Sequence, residues 1–425
     1  MTKLSRALTL IGSLALMGAA LGAQAPVTPA PGTPPGPGRG GGRGGPAVVS
    51  PLVAADGRVT FRLRAPNARE VAVALGATRL TMRKDEQGVW SATSDALAPD
   101  YYTYSLVVDG TTVNDSANRQ LQTSFNAGQS MFVVPGPRPW LPAAGVPRGA
   151  IARHAFHSTV ANDDREFFVY TPPGYDARRT RPYPILYLLP GLGDDAGRWM
   201  NGGGANVILD NLIAQGKAGP MVVVTTLGYG VSTGPAGAMA AESITGYTKS
   251  LLTEVMPDVD RGYNVSKTRE ERAIAGLSMG GAETLYTALN NLDKFAWIGS
   301  FSGAFVMWPG AAPAPAPATT APAPTTTAPA AGGRGRGAAP TINVSVMEKN
   351  FPTLDARANG QIRLLFIACG TADSLLGVNR QFKDWLKTKK VNFTEEETPD
   401  VGHVWPLWRQ NLTDFVQKTF QPKAR

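Results

Sequence analysis

Arg272-Ala273-Ile274-Ala275-Gly276-Leu277-Ser278-Met279-Gly280-Gly281-Ala282-Glu283-Thr284-Leu285 opens as a short apolar run and ends as a helix-like one. Between them lies the pattern G-x-S-x-G. Strand, sharp turn and helix in immediate succession is the context that gives this pattern meaning. The flanking glycines let the turn close tightly, which lifts the Ser278 hydroxyl out of the sheet and leaves it at a helix N-terminus. A Gly/Ser loop with no chemical role is the plain alternative.

A serine in that position needs a base, and the base needs an acid to orient it. The chain has three histidines, His154, His157 and His403. On a serine turn of this kind the order along the chain is Ser, then Asp or Glu, then His. His403 is the one histidine after Ser278, so it is the candidate base. His154 and His157 fall at or before the first strand of the expected sheet and read as locally satisfied side chains. The acid should come from a strand end between Ser278 and His403. Arg363-Leu364-Leu365-Phe366-Ile367-Ala368-Cys369 has the pattern of a buried strand and runs into Gly370-Thr371-Ala372-Asp373. Asp373 is therefore the candidate acid, with a helix N-cap as its competing role. Asp400 is the rival, three residues before His403.

The same chemistry calls for backbone donors facing the developing oxyanion. Pro184-Ile185-Leu186-Tyr187-Leu188-Leu189 reads as a central strand followed by Pro190-Gly191-Leu192-Gly193. The amides of Leu192 and Met279 are the expected donors. The Gly191–Gly197 spacing is one residue too long for a dinucleotide fingerprint.

Composition narrows the remaining classes. The formal net charge is +9. Lys3 and Arg6 sit in a basic leader, and Arg39, Arg43, Arg334 and Arg336 in acid-free Gly/Pro/Ala tracts. The globular remainder carries little net charge, which argues against nucleic acid as a partner. The single cysteine, Cys369, excludes an intramolecular disulfide and reads as a small buried apolar residue. There is no H-E-x-x-H and no C-x-x-C, so no metal or organic cofactor is expected.

Residues 1–25 read as a secretory signal: the basic n-region, an apolar stretch from Ala7 to Leu21, and Gly22-Ala23-Gln24-Ala25 as the small-residue exit. Pro26 disfavours a cut directly after Ala25. The stretch is short for a spanning helix. Expected localisation is secreted or periplasmic, with no membrane span after processing. Residues 26–47 are a Pro/Gly-rich linker. Residues 48–136 show short alternating strands such as Arg58–Arg64, Glu70–Leu75, Gly88–Thr93 and Tyr102–Val108, separated by turn signals. They predict an immunoglobulin-like β-sandwich. Residues 137–150 form a second linker. From 151 to 425 strands alternate with helices over Ala205–Gln215, Thr245–Met256, Asn379–Lys389 and Trp405–Phe420, with Pro257 expected to end the second. The Ala/Pro/Thr/Gly tract at 309–341 reads as a disordered insertion.

Several stretches resemble carbohydrate esterase family 1, which includes feruloyl and acetyl-xylan esterases and has enterochelin-esterase-like enzymes as near relatives. They are Tyr170-Thr171-Pro172-Pro173-Gly174-Tyr175, Asn206–Ile213, Gly276–Gly281, Cys369-Gly370-Thr371-Ala372-Asp373 and His403-Val404-Trp405-Pro406-Leu407-Trp408-Arg409. The stretch from about Pro51 to Pro135 is similar to an early-set, family 48 carbohydrate-binding-like module. Two positions depart from the family pattern: Pro190-Gly191 stands where His-Gly is usual, and Val404 where a Glu often follows the histidine. The resemblance implies an α/β-hydrolase domain with a mostly parallel sheet, preceded by the sandwich. It implies a secreted serine esterase acting on feruloyl or acetyl groups of plant polysaccharide. Ser278, His403 and Asp373 would then form the triad and Leu192 and Met279 the oxyanion hole. Trp199 and Trp405 are candidates for the acyl pocket wall, and Trp90, Tyr101, Tyr102 and Tyr104 for polysaccharide contact through the N-terminal domain. A siderophore esterase or an acyltransferase would share the same residues. A non-catalytic carbohydrate-binding protein is the reading from another class.

Overall fold

Central strands of a sheet covered on both faces are apolar along their whole length, whereas strands with one wet face alternate. Ile185–Leu189, Val222–Thr226 and Arg272–Leu277 approach the first kind, with Thr225, Thr226 and Arg272 at strand ends, and are buried at every position. They form the middle of an eight-stranded sheet in a computed structural model that describes residues 47–124, 128–230, 242–311 and 340–420. Residues 1–46 of the expected signal and linker, and 312–339 of the insertion expected over 309–341, lie outside the described residues.

Across the sheet the order is Ala150–Ser158, Asp163–Thr171, Val222–Thr226, Ile185–Leu189, Arg272–Leu277, Trp297–Phe301, Leu364–Gly370, Thr394–Thr398. The first two pairings are antiparallel and the other five parallel. The period of two sends alternate side chains to opposite layers. Ile185, Tyr187, Leu189 and Ile274 join one core, against the helices Met279–Leu289 and Leu376–Thr388. Leu186, Leu188, Ala275 and Leu277 join the other, against Ala205–Ala214 and Trp405–Lys418. This is the mostly parallel α/β architecture expected from the sequence.

Residues 52–134 form two antiparallel sheets. Leu52–Val53, Val59–Arg64, Val89–Thr93 and Arg83–Lys84 make the smaller. Thr78–Thr81, Val71–Leu75, Asp100–Val108, Gln129–Val134 and Leu121–Gln122 run across the larger, with Thr111–Val113 beside Asp100–Val108. Val59, Phe61, Trp90, Tyr104 and Phe132 share their core. Trp90 and Tyr104 are thus buried, Tyr102 stacks on Phe132 at 5.4 Å, and Tyr101 lies against Arg409. The stretch after the sandwich packs closely: Trp140 and Leu141 are buried, and Asn211 donates to the carbonyls of Pro139 and Leu141.

Two elements depart from expectation. The helix expected to stop at Pro257 continues as Ser243–Ser250, a π turn over Leu251–Val255, and Met256–Gly262. The Met256 N–H donates to Leu251, five residues back. A widened turn accommodates a proline that lacks the N–H and whose ring crowds the carbonyl one turn earlier. The edge strand Thr394–Thr398 has no apolar pattern; Lys383 donates to Glu395 and Glu397 at 2.7 and 2.6 Å instead. No helix among the described residues is long and apolar enough to cross a membrane.

The turn after Leu277 depends on its glycines. A Cβ on Gly280 would meet the carbonyl oxygens of Pro190 and Leu189 at 2.3 and 2.7 Å, and one on Gly276 the carbonyl of Gly280 at 2.4 Å. Gly262 has nothing within 4 Å of its added Cβ. Gly280→Ala is expected to cost about 3 kcal/mol of stability, the upper range of overpacking. Gly262→Ala should stay within about 0.5 kcal/mol. Denaturant midpoints of the two variants against the parent chain check both.

Candidate active site

Ser278 joins the strand Arg272–Leu277 to the helix Met279–Leu289 with φ 53 and ψ −116, a backbone conformation that non-glycine residues rarely hold. Its backbone is pinned on both sides. The N–H donates to Phe301 at 2.9 Å, and the carbonyl accepts from Gly281, Ala282 and Ala304. The side chain is left at the carboxyl edge of the sheet, beside the strand where the order reverses. Open α/β sheets place ligands there.

The structure brings His403 and Asp373 to this serine. His403 Nε2 lies 3.0 Å from Ser278 Oγ, and Nδ1 lies 2.8 Å from Asp373 Oδ2. With Nδ1–H donating to the carboxylate, Nε2 is the bare nitrogen facing the hydroxyl. The other Asp373 oxygen accepts the Leu375 N–H at 2.8 Å, which ties the loop; the helix Leu376–Thr388 begins after Leu375 without a side-chain cap, so Asp373 is not the N-cap that the sequence offered as its competing role. Burial on its own would raise this carboxyl. Hydrogen bonds and charge from His403, the Leu375 amide and Ser302 outweigh burial and hold it below the ordinary carboxylate range. The His403 ring meets Trp408 edge-on at 4.7 Å, and the Trp408 indole donates to Ser302 at 3.2 Å. Asp400 is exposed, in a left-handed conformation, with its N–H on Thr371 Oγ1. It shapes the loop that carries His403. His154 pairs with Tyr263 and His157 with Asp164, both away from this site.

The turn after Leu189 lies against the serine: a Cβ on Gly191 would be 3.5 Å from that of Ser278. Its amides are sorted by two partners. Gly191 N–H donates to Asp194 Oδ2 at 3.1 Å and Gly193 N–H to the Tyr229 hydroxyl at 2.6 Å. The Leu192 amide between them has neither acceptor. Met279, first residue of its helix, has no carbonyl one turn back to receive its N–H. Burial pushes the Asp194 carboxyl up to about 6, against the pull of Arg198 and the Gly191 amide.

Leu192, Asp194, Ser278, His403, Val404, Trp405 and Trp408 line a cleft of about 350 Å³. Trp405 is one of its walls. Trp199 is not: it is fully buried, donates to the Leu189 carbonyl at 2.8 Å, and packs edge-to-face behind Trp405 at 5.1 Å. Two tryptophans placed side by side by the sequence reading thus divide the work, one facing the cleft and one propping it. The reading missed Asp194, Tyr229 and Trp408 as parts of the site. Asp194 had a signal, an Asp three residues after a glycine turn; Tyr229 had none. Cys369 is buried and its thiol is pushed up to about 12, chiefly by burial. Among the described residues no group of three or more His, Cys, Asp or Glu side chains could hold a metal ion.

Comparison with known proteins gives the site a context. The family described as "Putative esterase" matches residues 158–419. An endo-1,4-beta-xylanase/feruloyl esterase from Xylanibacter ruminicola is 33% identical over 270 residues, 60% of this chain and 36% of that protein. Endo-1,4-beta-xylanase Y from Acetivibrio thermocellus is 29% identical over 176 residues, 39% of this chain and 15% of that protein. The chain therefore spans about a third or less of these curated relatives. Among solved structures, the enterochelin esterase of Shigella flexneri superposes with a TM-score of 0.58 at 17% identity, covering 87% of this chain and 95% of that one. A ferulic acid esterase from Anaeromyces mucronatus, in complex with ferulic acid, superposes with 0.50 at 23% identity, covering 67% and 96%. At such identities the likeness is one of fold.

Two substitutions separate the parts of this geometry. Asp373→Asn keeps the shape but reverses the hydrogen bond to Nδ1, so turnover of a simple aryl ester should fall by about 10³ to 10⁴. Tyr229→Phe leaves Ser278 and His403 untouched and releases the Gly193 amide. It should cost about tenfold in kcat, less than outright loss of an oxyanion donor. Steady-state kinetics on the two variants checks the order; equal losses would deny Tyr229 its indirect role.

Proposed function

The chain belongs to the esterase family, and from that premise we propose that it is a carboxylic ester hydrolase working through Ser278, His403 and Asp373. The observation that carries the reading is the continuous hydrogen-bonded line from Asp373 through His403 to Ser278, ending in an open cleft. Ser278 Oγ attacks the ester carbonyl while His403 Nε2 takes its proton. Asp373 holds the ring in the required tautomer and stabilises the imidazolium. The carbonyl oxygen, now negative, accepts from the amides of Leu192 and Met279 at the positive end of the Met279–Leu289 helix, a contribution of about 3 kcal/mol for each well-placed donor. His403 returns the proton to the departing alcohol. Water then repeats the sequence on the acyl-enzyme and frees the acid.

The preferred acyl group is aromatic, of the feruloyl type, on plant polysaccharide. Trp405 supports this as a flat wall beside Ser278, and so does the kinship with a protein named for feruloyl ester cleavage. Acetyl groups on the same polysaccharides are the smaller alternative. A catechol-bearing siderophore ester is a second reading, favoured by one observation: the likeness to the enterochelin esterase extends over 87% of this chain, sandwich included. The leader read over residues 1–25 supports a secreted or periplasmic enzyme, and contact of the sandwich with polysaccharide belongs to the same proposal.

Ser278→Ala should reduce hydrolysis of a short-chain aryl ester by about 10⁴-fold or more, and a fluorophosphonate should label the parent chain but not the variant. Near-full activity in the variant ends the esterase reading. A comparison of methyl ferulate, acetylated xylan oligomers and a catecholate siderophore ester by kcat/KM sorts the substrates. Methyl ferulate is expected to lead, and Trp405→Ala to erase its lead while sparing the short-chain ester.

A further inference from the structure

Trp405 is held by a line of alternating charges that leaves the catalytic region altogether. On one side the Arg198 guanidinium lies 4.2 Å from the indole centroid and is paired with Asp194 at 3.1 Å. Toward the other lies Arg409, one turn further along the helix that Trp405 begins, with its guanidinium 5.8 Å from the same ring. Arg409 is buried, and its partners come from elsewhere in the chain. Asp100 Oδ1 accepts its Nη1 at 2.8 Å, the Gly202 carbonyl accepts its Nε at 3.2 Å, and the Tyr101 ring lies 5.0 Å away. Asp100 and Tyr101 begin the sandwich strand Asp100–Val108. The same Asp100 oxygen accepts the Trp140 indole N–H at 3.0 Å.

We propose that the β-sandwich is a specificity element of the catalytic cleft, and that Asp100 and Tyr101 act through Arg409 as positioning residues for the Trp405 wall. The proposal rests on the esterase reading for its substrates but not for its coupling. Two buried guanidiniums flanking one indole repel each other, and each keeps its place only beside its own carboxylate. Asp194 serves Arg198 from within the catalytic region. The counter-charge of Arg409 is supplied by the sandwich. Neutralise Asp100 and Arg409 is left buried with a carbonyl and an aromatic face, so it shifts, and the ring one turn away on the same helix shifts with it. No hydrogen bond, ion pair or ring contact joins Ser278, His403 or Asp373 to Asp100, Tyr101 or Arg409. The effect should therefore fall on acyl groups broad enough to lie on Trp405 and spare an acetyl group.

The test uses the full chain with Asp100→Asn, and Tyr101→Leu as a second variant should the first fail to fold. KM for methyl ferulate should rise about five- to tenfold, between the exposed and the desolvated scale of a cation–π contact. Its kcat, and both constants for 4-nitrophenyl acetate, should stay within about twofold, since no group that touches the reacting atoms has moved. Equal losses on both esters, or an unchanged KM for methyl ferulate, overturn the proposal. A second readout needs no turnover. With 5-fluorotryptophan incorporated, the Trp405 fluorine resonance, assigned with Trp405→Phe, should move in Asp100→Asn, and an unmoved resonance also overturns the proposal. A moved resonance in a chain that cleaves no ester would sink the esterase reading and leave the coupling standing.

Discussion

One backbone conformation organises the catalytic half of this protein. Ser278 sits at positive φ between a strand and a helix that pack too closely for any side chain at positions 276 and 280. Such a conformation costs about 1–3 kcal/mol and persists only when its surroundings over-determine it. Here those surroundings are the Phe301 carbonyl, three amides on the Ser278 carbonyl, and the Leu189-Pro190 backbone against Gly280. Because the serine is fixed relative to Leu189 and Pro190, the turn at Gly191 is fixed too. The turn and the Ser278 hydroxyl are thus set by the same contact.

The supporting polar groups around that centre follow a single rule: a buried donor or acceptor must be matched. Asp194 and Tyr229 absorb the amides of Gly191 and Gly193 and leave the Leu192 amide between them to neither. Asp373 ties its own loop with one oxygen and orients His403 with the other. Ser302 receives the Trp408 indole, which steadies the tryptophan against the imidazole. Each of these side chains touches the chemistry through one intermediary, which is why none stands out by residue type.

Much of the fold was legible because its central strands are mostly apolar runs without polar alternation. The runs at Ile185, Arg272 and Leu364 announce a sheet covered on both faces, and the structure agrees within a residue or two at each end. Thr394–Thr398 was not legible, since an edge strand held by Lys383 carries no apolar signal. Nor was the helix that passes Pro257, because a π turn is a local adjustment that no composition predicts. Ser278, His403 and Asp373 could be singled out for an unusual reason: with three histidines in the chain, order alone leaves one base. A histidine-rich sequence with the same fold would have left the choice open.

By itself the sequence determined the class of sheet, the serine turn, and the chain order of serine, acid and histidine. The sheet class is written in continuous apolar runs and the turn in neighbouring residues, so local sterics and burial suffice for both; the order could be read because the chain has so few histidines. Only the tertiary structure decided which tryptophan faces the cleft and which lies behind it. Trp199 and Trp405 are equally apolar, and their fates differ because one is enclosed beneath Leu189 while the other begins a helix at the cleft's mouth. It alone also decided that Asp100, 309 positions before Arg409 in the chain, is that residue's counter-charge. Long-range pairing of that kind leaves no trace in local pattern, because a buried guanidinium requires a carboxylate but does not specify where along the chain it must come from.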